Sequence, residues 1–364
     1  MSKKLRIGII GTGGIANSHM KAYKTFDDVE IVGGADIVPG KARAFLDKWE
    51  LPNAKDFESA EDLIKNLDLD GVTVCTYNTQ HYAPVMTALN AGLHVQCEKP
   101  MSFTLQEGVE MVRAAKKNNR ILTIGFQPRY DYTRQYVDRI IQSGELGKVY
   151  YVQSGGGRRR GIPGSSFVHA EKAGFGCLGD LGCYSIDECM HAIGYPKPLT
   201  VSAIATDYFG KNPKYWKDAD SFDVDDFSIA LIRCEGDVTF VFKQSWAMHA
   251  DTLGDTLWLG TEGAIKVVNG FSYTNAPSRV RYYRDVAGQH IDSFVEPSYP
   301  FDAYEAPGSR DIFKMKIRAF CDAIKENRPA PIPGEEILYN QAICDGIYRS
   351  SKLHEEVKIE IPEI

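Results

Sequence analysis

The first third of the chain alternates short, continuously apolar runs with stretches in which apolar positions recur every three or four residues. An apolar run between turn residues is typical of a buried strand, and the longer spacing is typical of a helix with one buried face. The pattern predicts strands at 5–10, 29–35, 71–75, 93–97 and 121–126, and helices at 41–49, 61–67, 79–91 and 105–118. Strands and helices that alternate at this interval predict βαβ units and a parallel sheet, which is an α/β architecture.

Near residue 149 the pattern changes, and strand-like runs follow one another. The predicted strands are 149–154, 200–207, 226–234, 238–246, 255–259, 264–268 and 280–284, with loops at 208–225 and 285–310 and helices at 181–193, 312–326 and 334–351. We therefore expect an α+β domain with a large, mostly antiparallel open sheet. Helices such as 181–193 cover one face of this sheet. Few helices remain for the other face, which predicts a subunit interface and a homo-oligomer, which could be a dimer, a tetramer or a larger assembly.

The first strand runs directly into a glycine-rich turn, Gly11 to Ala16, with a helix behind it. In this setting Gly11 allows the tight turn, Gly13 lets the main chain approach a pyrophosphate, and Ala16 permits close helix packing. The diphosphate would meet the free N–H groups and the positive dipole end of the helix. Residues 1–125 are therefore predicted to form a dinucleotide-binding Rossmann domain. Residues 126–364 are predicted to form a substrate-binding and oligomerisation domain, whose closing helices, 312–351, can pack back on the first domain.

The second predicted strand ends at Asp36, roughly 20 residues after the glycines, where an acidic side chain hydrogen-bonds the adenosine ribose hydroxyls. The same carboxylate repels the 2′-phosphate of NADP. No Arg or Ser follows Asp36 at once, and Lys41 is the nearest cation in sequence. NAD is therefore favoured over NADP, although Asp36 could also serve as a helix cap or turn residue.

A second polar cluster is predicted in the stretch Gly174–His191. Three glycines precede Asp180, so a loop of bare main chain leads into a helix. The polar residues Asp180, Tyr184, Asp187 and His191 recur at i, i+4, i+7 and i+11. That spacing places them on one helical face, and the apolar residues around them predict a largely buried helix. Buried carboxylates, phenols and imidazoles need partners, so the stripe indicates a functional cleft rather than a solvated face.

Composition narrows the function classes. The chain is 43% hydrophobic and 25% charged, which is ordinary for a globular protein. Its formal net charge of -6 gives no basic surplus for nucleic acid or an anionic membrane. We expect neither a signal peptide nor a membrane span. The eight cysteines are scattered without a CxxC pair, which predicts reduced core residues of a cytoplasmic protein and no metal site.

Three segments together resemble the Gfo/Idh/MocA family of sugar and cyclitol oxidoreductases, over nearly the whole length of the chain. They are the Gly11–Ala16 turn, the tripeptide Glu98-Lys99-Pro100 after a predicted strand, and Asp180–Tyr184, which fits the family pattern Asp-x-Gly-x-His. Tyr184 departs from the usual His, and the glucose-fructose oxidoreductase branch is similar in this respect. The segment 157–163 resembles the subgroup that acts on glucosyl groups, which includes glucoside 3-dehydrogenases and glycoside 3-oxidases.

The residues and the resemblance together predict the cofactor contacts. These are Gly11, Gly13, Gly14, Ile15, Asp36, Thr76, Asn78, His81, Glu98, Lys99 and Gln127. Several of them follow predicted strands, and ligands of a parallel sheet bind beyond the carboxyl ends of its strands. Each also has a structural alternative. Asn78 and His81 could cap the helix that they begin, and Glu98 could pair with a nearby cation.

The resemblance also implies which residues meet the substrate, namely Lys99, Arg159, Asp180 and Tyr184. Lys99 would polarise the reacting oxygen, and Tyr184 would act as general base or acid. Asp180 would orient the neighbouring hydroxyl. His191 is the alternative base, and it could instead be a satisfied core histidine. Arg159 could be a rim charge.

The leading hypothesis is an NAD-dependent oxidation, or the reverse reduction, of a secondary hydroxyl of a sugar or glycoside at C3 of a glucosyl group. The reaction would proceed by hydride transfer to nicotinamide. Two other enzyme activities stay open: NAD-assisted glycoside cleavage through transient oxidation and elimination, and inositol or cyclitol dehydrogenation. A non-catalytic NAD-binding regulator is a further alternative.

Overall fold

The computed structural model describes residues 3–268, 270, 278–295 and 311–364. In chain order its elements are β1 (Leu5–Ile10), α1 (Gly14–Tyr23), β2 (Val29–Ala35), α2 (Lys41–Lys48), β3 (Lys55–Phe57), α3 (Ala60–Asn66), β4 (Gly71–Val74), α4 (Tyr82–Asn90), β5 (His94–Cys97), α5 (Leu105–Lys117), β6 (Leu122–Ile124), α6 (Tyr132–Gln142), β7 (Val149–Gln153), α7 (Ala170–Ala173), α8 (Cys183–Ala192), β8 (Pro198–Thr206), β9 (Phe227–Cys234), β10 (Val238–Ser245), β11 (Thr256–Gly260), β12 (Gly263–Val267), β13 (Val280–Val286), β14 (Gln289–Val295), α9 (Ile312–Lys325), α10 (Gly334–Leu353) and β15 (Val357–Lys358). The chain divides into two compact units. Unit 1 comprises Met1–Gln127, Asp311–Leu338 and Pro362–Ile364, and unit 2 comprises Pro128–Arg310 and Tyr339–Ile361.

Unit 1 is built on a six-stranded sheet in the order β3-β2-β1-β4-β5-β6. Every pairing in it is parallel, which confirms the predicted Rossmann architecture. β4 is buried at each of its positions, as expected for a strand covered on both faces. Helix α9 returns from far along the sequence to this unit. Its Ile317 and Phe320 are fully buried and belong to the same core as Ile7 and Ile9 of β1.

Unit 2 is built on a nine-stranded sheet in the order β14-β13-β12-β11-β7-β10-β9-β8-β15. The pairing of β7 with β10 is parallel and the others are antiparallel, so the predicted mostly antiparallel sheet is confirmed. One row of cross-strand neighbours is buried throughout: Val201, Ile232, Phe240, Val152, Trp258, Ile265 and Tyr282. Helix α8 packs on this face, where the indole N–H of Trp258 donates to the carbonyl of Cys189 at 3.1 Å.

The opposite face of the same sheet carries large apolar side chains that stay open to solvent in the single chain. Its row of cross-strand neighbours is Ser202, Leu231, Val241, Gln153, Leu257, Lys266, Arg281 and Phe294. Leu231 is 38% exposed, and Ile204, two residues beyond Ser202 on β8, is 57% exposed. A patch of this kind is unusual on a surface that faces only water.

Two sequence predictions need correction. The stretch 285–310 was expected to be loop, yet Asp285 lies within β13 and residues 289–295 form β14. β14 is the edge strand of the sheet and is largely exposed, so it carries few of the apolar residues from which a strand is recognised. Residues 296–310 lie outside the described part of the chain.

The second correction concerns where helices begin. The helix predicted over 79–91 opens as a 3-10 turn, Asn78–Gln80, and α4 begins at Tyr82. The helix predicted over 181–193 is preceded by a π-helical turn, Leu178–Gly182, and α8 begins at Cys183. The polar stripe from Asp180 to His191 therefore begins in a π turn, which is wider than the regular α-helix that its spacing assumed. The expected burial of α8 is confirmed.

Candidate active site

The turn after β1 leaves space in front of the first helix of unit 1. Gly11 has φ +83°, and a Cβ there would lie 2.7 Å from the carbonyl group of Cys75, so the position requires glycine. A Cβ at Gly13 or Gly14 would instead meet nothing within 4 Å. Among the described residues no side chain caps α1, and Ile15 in its first turn packs on the core. The open main chain at a helix start fits the diphosphate of a dinucleotide.

Asp36 stands at the end of β2 with its carboxylate buried and ordered. Oδ2 accepts the main-chain N–H of Thr12 at 2.9 Å and its hydroxyl at 2.8 Å, while Oδ1 accepts the N–H of Val38 at 3.1 Å. Lys41 Nζ lies 2.9 Å from Oδ2. Burial would raise the pKa of Asp36, but Lys41 and the N–H donors outweigh it and hold that pKa below its usual value. An ionised carboxylate at this position fits the ribose hydroxyls of NAD.

Four further predicted cofactor residues follow strands of the same parallel sheet. Thr76 follows β4, Lys99 follows β5 and Gln127 follows β6, and Asn78 lies just beyond Thr76. The structure therefore brings them to the carboxyl edge, where the glycine turn after β1 also lies. The hydroxyl of Thr76 donates to the carbonyl of Gln80 at 2.9 Å. Their contacts with a cofactor remain predictions.

The side chains of His81 and Glu98 point into unit 1. His81 is fully buried, and its Nδ1 donates to the carbonyl of Pro100 at 2.8 Å. Burial lowers the pKa of His81, so its ring is neutral. The Glu98 carboxylate contacts His19 at 2.7 Å and Lys316 at 2.5 Å. The cation pairing considered as the alternative for Glu98 is thus present, and a cofactor contact of either side chain stays a prediction.

In unit 2, the loop before Asp180 is held by a second aspartate, Asp225. Its Oδ1 accepts the N–H of Gly176 at 2.7 Å, and its Oδ2 accepts the N–H of Leu178 at 2.9 Å and the thiol of Cys177 at 3.0 Å. A Cβ at Gly176 would lie 1.8 Å from the Asp225 carbonyl oxygen, so only glycine fits. The bare main chain predicted before Asp180 therefore serves close packing against Asp225.

Asp180 itself is half-buried and bonded to a tryptophan. The indole N–H of Trp246 donates to Asp180 Oδ2 at 3.1 Å. Trp246 is fully buried in a cluster with Leu181 and Phe222, so its ring offers no face to a sugar. Tyr184, in the first turn of α8, is 7% exposed. The carboxylate and the phenol are thus fixed by the interior of unit 2.

The remaining polar residues of α8 divide between two environments. Asp187 accepts two hydrogen bonds from Arg129, at 2.9 Å and 2.6 Å, and one from the hydroxyl of Tyr195. These hydrogen bonds give the Asp187 carboxylate a structural role. His191 is partly exposed, and its Nε2 lies 3.9 Å from Asp138 Oδ2. A role for His191 as the base stays a prediction.

Asp187 and His191 line a small cavity in which the pKa values of two acids are raised. Its lining residues are Pro128, Arg129, Arg134, Asp138, Asp187, Glu188 and His191. Burial raises the pKa of Asp138 to about 6, against the opposing charge of His191. Burial likewise raises the pKa of Glu188 to about 7, although Arg134 contacts it. Acids of this kind are protonated in part near neutral pH.

The arginine segment lies on loops of unit 2. Arg159 is exposed, and its carbonyl accepts the N–H of Met248 at 3.2 Å. Arg160 stacks on Phe209 and Tyr215, with its guanidinium carbon 4.9 Å from each ring centroid. The structure therefore places Arg159 at the surface of unit 2, and its contact with substrate remains a prediction.

Three residues that shape the site were missed by sequence reasoning as partners. Asp225 ends a predicted loop, where acids are common and uninformative. Trp246 ends the predicted strand 238–246, and nothing in that pattern indicates which acceptor its indole N–H meets. Lys316 gave the clearest signal, because this lysine lies next to the buried Ile317 and one turn before the buried Phe320 on an amphipathic helix.

In the described part of the chain, no helix has the length and apolarity that a bilayer crossing requires. Within the same residues, no group of three or more His, Cys, Asp or Glu side chains could hold a metal ion. All eight cysteines are buried and unpaired with one another.

Comparisons with known proteins agree with this geometry. Residues 5–126 match the oxidoreductase family model described as Gfo/Idh/MocA with an NAD-binding Rossmann fold, and residues 134–266 match the Gfo/Idh/MocA C-terminal domain. D-glucoside 3-dehydrogenase of Escherichia coli K12 is 33% identical over 204 residues, 56% of this chain and 58% of that protein. Inositol 2-dehydrogenase of Salmonella typhimurium LT2 is 38% identical over 150 residues, 41% and 44%. The chain thus spans about half the length of these curated relatives.

Solved structures extend the likeness to the whole fold. Levoglucosan dehydrogenase in complex with NADH and levoglucosan superposes with a TM-score of 0.80 at 21% identity, covering 98% of this chain and 100% of the other. Aldose-aldose oxidoreductase from Caulobacter crescentus gives 0.77 at 22% identity, covering 98% and 100%. At these identities the structures establish the fold. Taken with the two family models, they leave one conclusion: the chain belongs to the Gfo/Idh/MocA family of NAD-binding oxidoreductases.

Proposed function

We propose that this protein is an NAD-dependent dehydrogenase that oxidises a secondary hydroxyl of a sugar or glycoside. The observation that carries the proposal lies within unit 1. Lys99 follows β5 at the carboxyl edge of the parallel sheet, the edge at which the open turn Gly11–Gly14 and the ionised Asp36 also lie. A cation that follows a nucleotide-binding sheet is placed for a reaction at the nicotinamide end of the cofactor.

NAD, when bound, supplies the acceptor for the hydride that leaves the carbinol carbon. The chain supplies the rest. The ammonium of Lys99 polarises the substrate oxygen and stabilises negative charge on it as the proton departs. Tyr184 takes that proton through its hydroxyl, or returns it in the reverse reaction. Asp180, held by Trp246, orients the neighbouring hydroxyl of the sugar. His191 is the alternative base.

We propose C3 of a glucosyl group as the reacting position. The D-glucoside 3-dehydrogenase of Escherichia coli supports it, as does the resemblance of segment 157–163 to enzymes of glucosyl groups. Oxidation of an inositol is the second candidate, because a 38% identical relative is an inositol 2-dehydrogenase. Because fold does not determine substrate, the position has to be read from the product.

A deuterium label distinguishes oxidation at C3 of a glucosyl group from oxidation of an inositol. Methyl β-D-glucoside with deuterium at C3 is incubated with the protein and NAD, and the reduced nucleotide is analysed by mass spectrometry. We expect the nucleotide to gain the mass of one deuterium. Unlabelled NADH with methyl β-D-glucoside would place the oxidation at another carbon, and NADH formed only with myo-inositol would favour the second candidate. Release of methanol without NADH would indicate oxidation followed by elimination.

Variants of the two candidate bases separate their roles. Tyr184→Phe removes only the hydroxyl, and we expect kcat to fall on the order of 100-fold or more, the usual scale of a general base. His191→Gln should leave kcat within about threefold, since this ring lies beside Asp138 at the cavity. The reverse pattern would make His191 the base.

We also propose that the enzyme prefers NAD to NADP and is a homo-oligomer. The carboxylate of Asp36 disfavours a 2′-phosphate, although Lys41 tempers its charge. The exposed apolar face of the nine-stranded sheet is suited to a second copy of the chain. The double variant Ile204→Lys, Leu231→Lys should elute as a single chain of 40.5 kDa in light scattering, whereas the wild type and the loop control Tyr208→Lys should be larger. A wild-type mass of one chain would contradict the assembly.

A further inference from the structure

A buried charged pair lies directly behind the peptide that carries Lys99. Nζ of Lys316, on α9, is 2.5 Å from Glu98 Oε1, and Nε2 of His19, on α1, is 2.7 Å from the same oxygen. The exposed fractions of the Lys316 and Glu98 side chains are 2% and 6%, and that of His19 is 0%. Removing an ion pair so completely from water costs free energy, and a protein with apolar residues of similar volume in its place is often equally or more stable. Stability alone therefore does not account for the pair.

The other oxygen of Glu98 reaches the main chain of the next residue. Oε2 accepts the N–H of Lys99 at 3.4 Å, and the N–H of Glu98 donates to the carbonyl of Val74 on β4 at 3.0 Å. Gly125 closes the remaining side, because a Cβ there would lie 2.8 Å from Oε1. The carboxylate is thus a link between the ammonium of Lys316 and the main chain of Lys99.

The charges make this link stable near neutral pH. Burial would raise the pKa of Glu98, but Lys316 and His19 outweigh it and hold that pKa well below its usual value. Burial, and then the charge of Lys316, lower the pKa of His19, so its ring is neutral and donates Nε2–H. Glu98 is therefore a permanent acceptor, with Lys316 as the cation in contact with it.

The peptide is also held beyond Lys99. Nδ1 of the buried His81 donates to the carbonyl of Pro100 at 2.8 Å. Lys99 is therefore anchored on its N-terminal side through Glu98 and on its C-terminal side through Pro100. The anchoring groups come from α1, from α9 and from the residue just before α4, all in unit 1.

We propose that Lys316 is a positioning residue for the oxidation: through the carboxylate of Glu98 it fixes the main chain of Lys99 and so the place of the Lys99 ammonium. This rests on the proposed function, in which that ammonium meets the reacting oxygen. Lys316 touches neither substrate nor cofactor in this role. A displacement of about 1 Å at a catalytic group can cost on the order of 100-fold in rate, so the effect is large enough to measure.

The test compares Lys316→Met with Lys325→Met, a matched change on the same helix. Lys325 pairs with Asp28 near the surface. Kinetics use NAD and methyl β-D-glucoside, or myo-inositol if the wild type oxidises only that, and rates are expressed per NAD-binding site. We expect Lys316→Met to lower kcat by 10- to 100-fold, while KM for the sugar and the Kd for NAD change less than threefold. Lys325→Met should keep the wild-type kcat. A wild-type kcat per binding site in Lys316→Met would overturn the proposal.

The double variant Glu98→Gln, Lys316→Met decides the case if the single variant folds poorly. It removes both charges, so no unpaired charge is buried and the melting temperature should recover. The glutamine oxygen can still accept the Lys99 N–H but is no longer held by the Lys316 ammonium, so kcat should stay at least tenfold low. Recovery of kcat together with the melting temperature would show a role in folding only.

Failure of the proposed function is recognised separately through Lys99 itself. If Lys99→Met keeps the wild-type kcat, the proposed role of Lys99 is wrong, and the positioning proposal falls with it. If Lys99→Met is inactive while Lys316→Met and the double variant keep kcat, only the positioning role is refuted.

Discussion

Gly176 offers a direct test of how Asp180 is held. A Cβ at this position would lie 1.8 Å from the carbonyl oxygen of Asp225 and 2.8 Å from two further main-chain atoms of that residue, and contacts under 3.0 Å essentially do not occur. The obstacle is main chain and not the tip of a flexible side chain. In Gly176→Ala the loop must therefore move away from Asp225 by roughly 1 Å.

The size of the effect follows from that displacement. The N–H of Gly176 donates to Asp225 Oδ1 at 2.7 Å, and the N–H of Asp180 donates to the carbonyl of Gly176 at 3.0 Å. A shift at Gly176 thus passes to Asp180 through one hydrogen bond. Overpacking should cost about 1–3 kcal/mol of unfolding free energy. Moving the carboxylate by about 1 Å should lower kcat on the order of 100-fold.

Gly164→Ala is the matched control, because a Cβ there meets nothing within 4 Å and its φ of -96° is open to any residue. Both variants and the wild type are compared in urea unfolding and in NADH formation from a glucoside and NAD. The Kd for NAD should be unchanged in both, because the predicted nucleotide contacts lie in unit 1. A kcat for Gly176→Ala within threefold of the control would refute the argument that this loop must be built on glycine.

Three further predictions address the cofactor and the interior. Trp246→Phe keeps an aromatic ring at this buried position but removes the N–H that donates to Asp180. Because a lost hydrogen bond to a carboxylate has this scale, kcat/KM for the sugar should fall about tenfold. Equal kcat/KM values for the variant and the wild type would argue against that contact. Asp36→Ala should weaken NADH binding and narrow the preference over NADPH by about tenfold in fluorescence titrations, and an unchanged ratio of the two Kd values would mean that Asp36 does not select the cofactor. Because the folded pKa of Glu188 is raised to about 7, its contribution to stability is complete below pH 4.5 and is lost as the pH rises through 7. Glu188→Gln should therefore gain about 3 kcal/mol relative to the wild type between pH 5 and pH 8 in urea unfolding, and a pH-independent difference would show that this acid is not perturbed.

The sequence predicts the architecture of unit 1 well because its strands are buried on both faces. A run such as Gly71–Val74 has no polar position and is recognisable by itself. The glycine turn is equally easy to recognise, since Gly11 is needed for the tight turn and Gly13 for the approach of the main chain to a pyrophosphate. β14 shows the opposite case. It is an exposed edge strand, and the pairing partner that makes it a strand is not visible in its own residues.

At the site, residue types were predictable but partners were not. The spacing from Asp180 to His191 assumed a regular α-helix, and the π turn over Leu178–Gly182, which that spacing does not reveal, places Asp180 before α8 begins. The place of Asp187 in the polar stripe suggested a functional role, yet its carboxylate accepts two hydrogen bonds from Arg129. The partner of Glu98 lies 218 positions away, on a helix that returns after the whole second sheet. Pairing over such a distance depends on the tertiary fold, which local patterns do not encode.

Lys99 carries the central claim, and one measurement tests it most directly. Absorbance at 340 nm is followed after NAD and a panel of methyl β-D-glucoside, levoglucosan and myo-inositol are added to the wild type and to Lys99→Met. The account predicts a rise with at least one of these sugars in the wild type and a loss of about 100-fold or more in Lys99→Met, with the Kd for NAD preserved. A wild-type rate in Lys99→Met, or no rise with any sugar in a wild type that binds NAD, would contradict it.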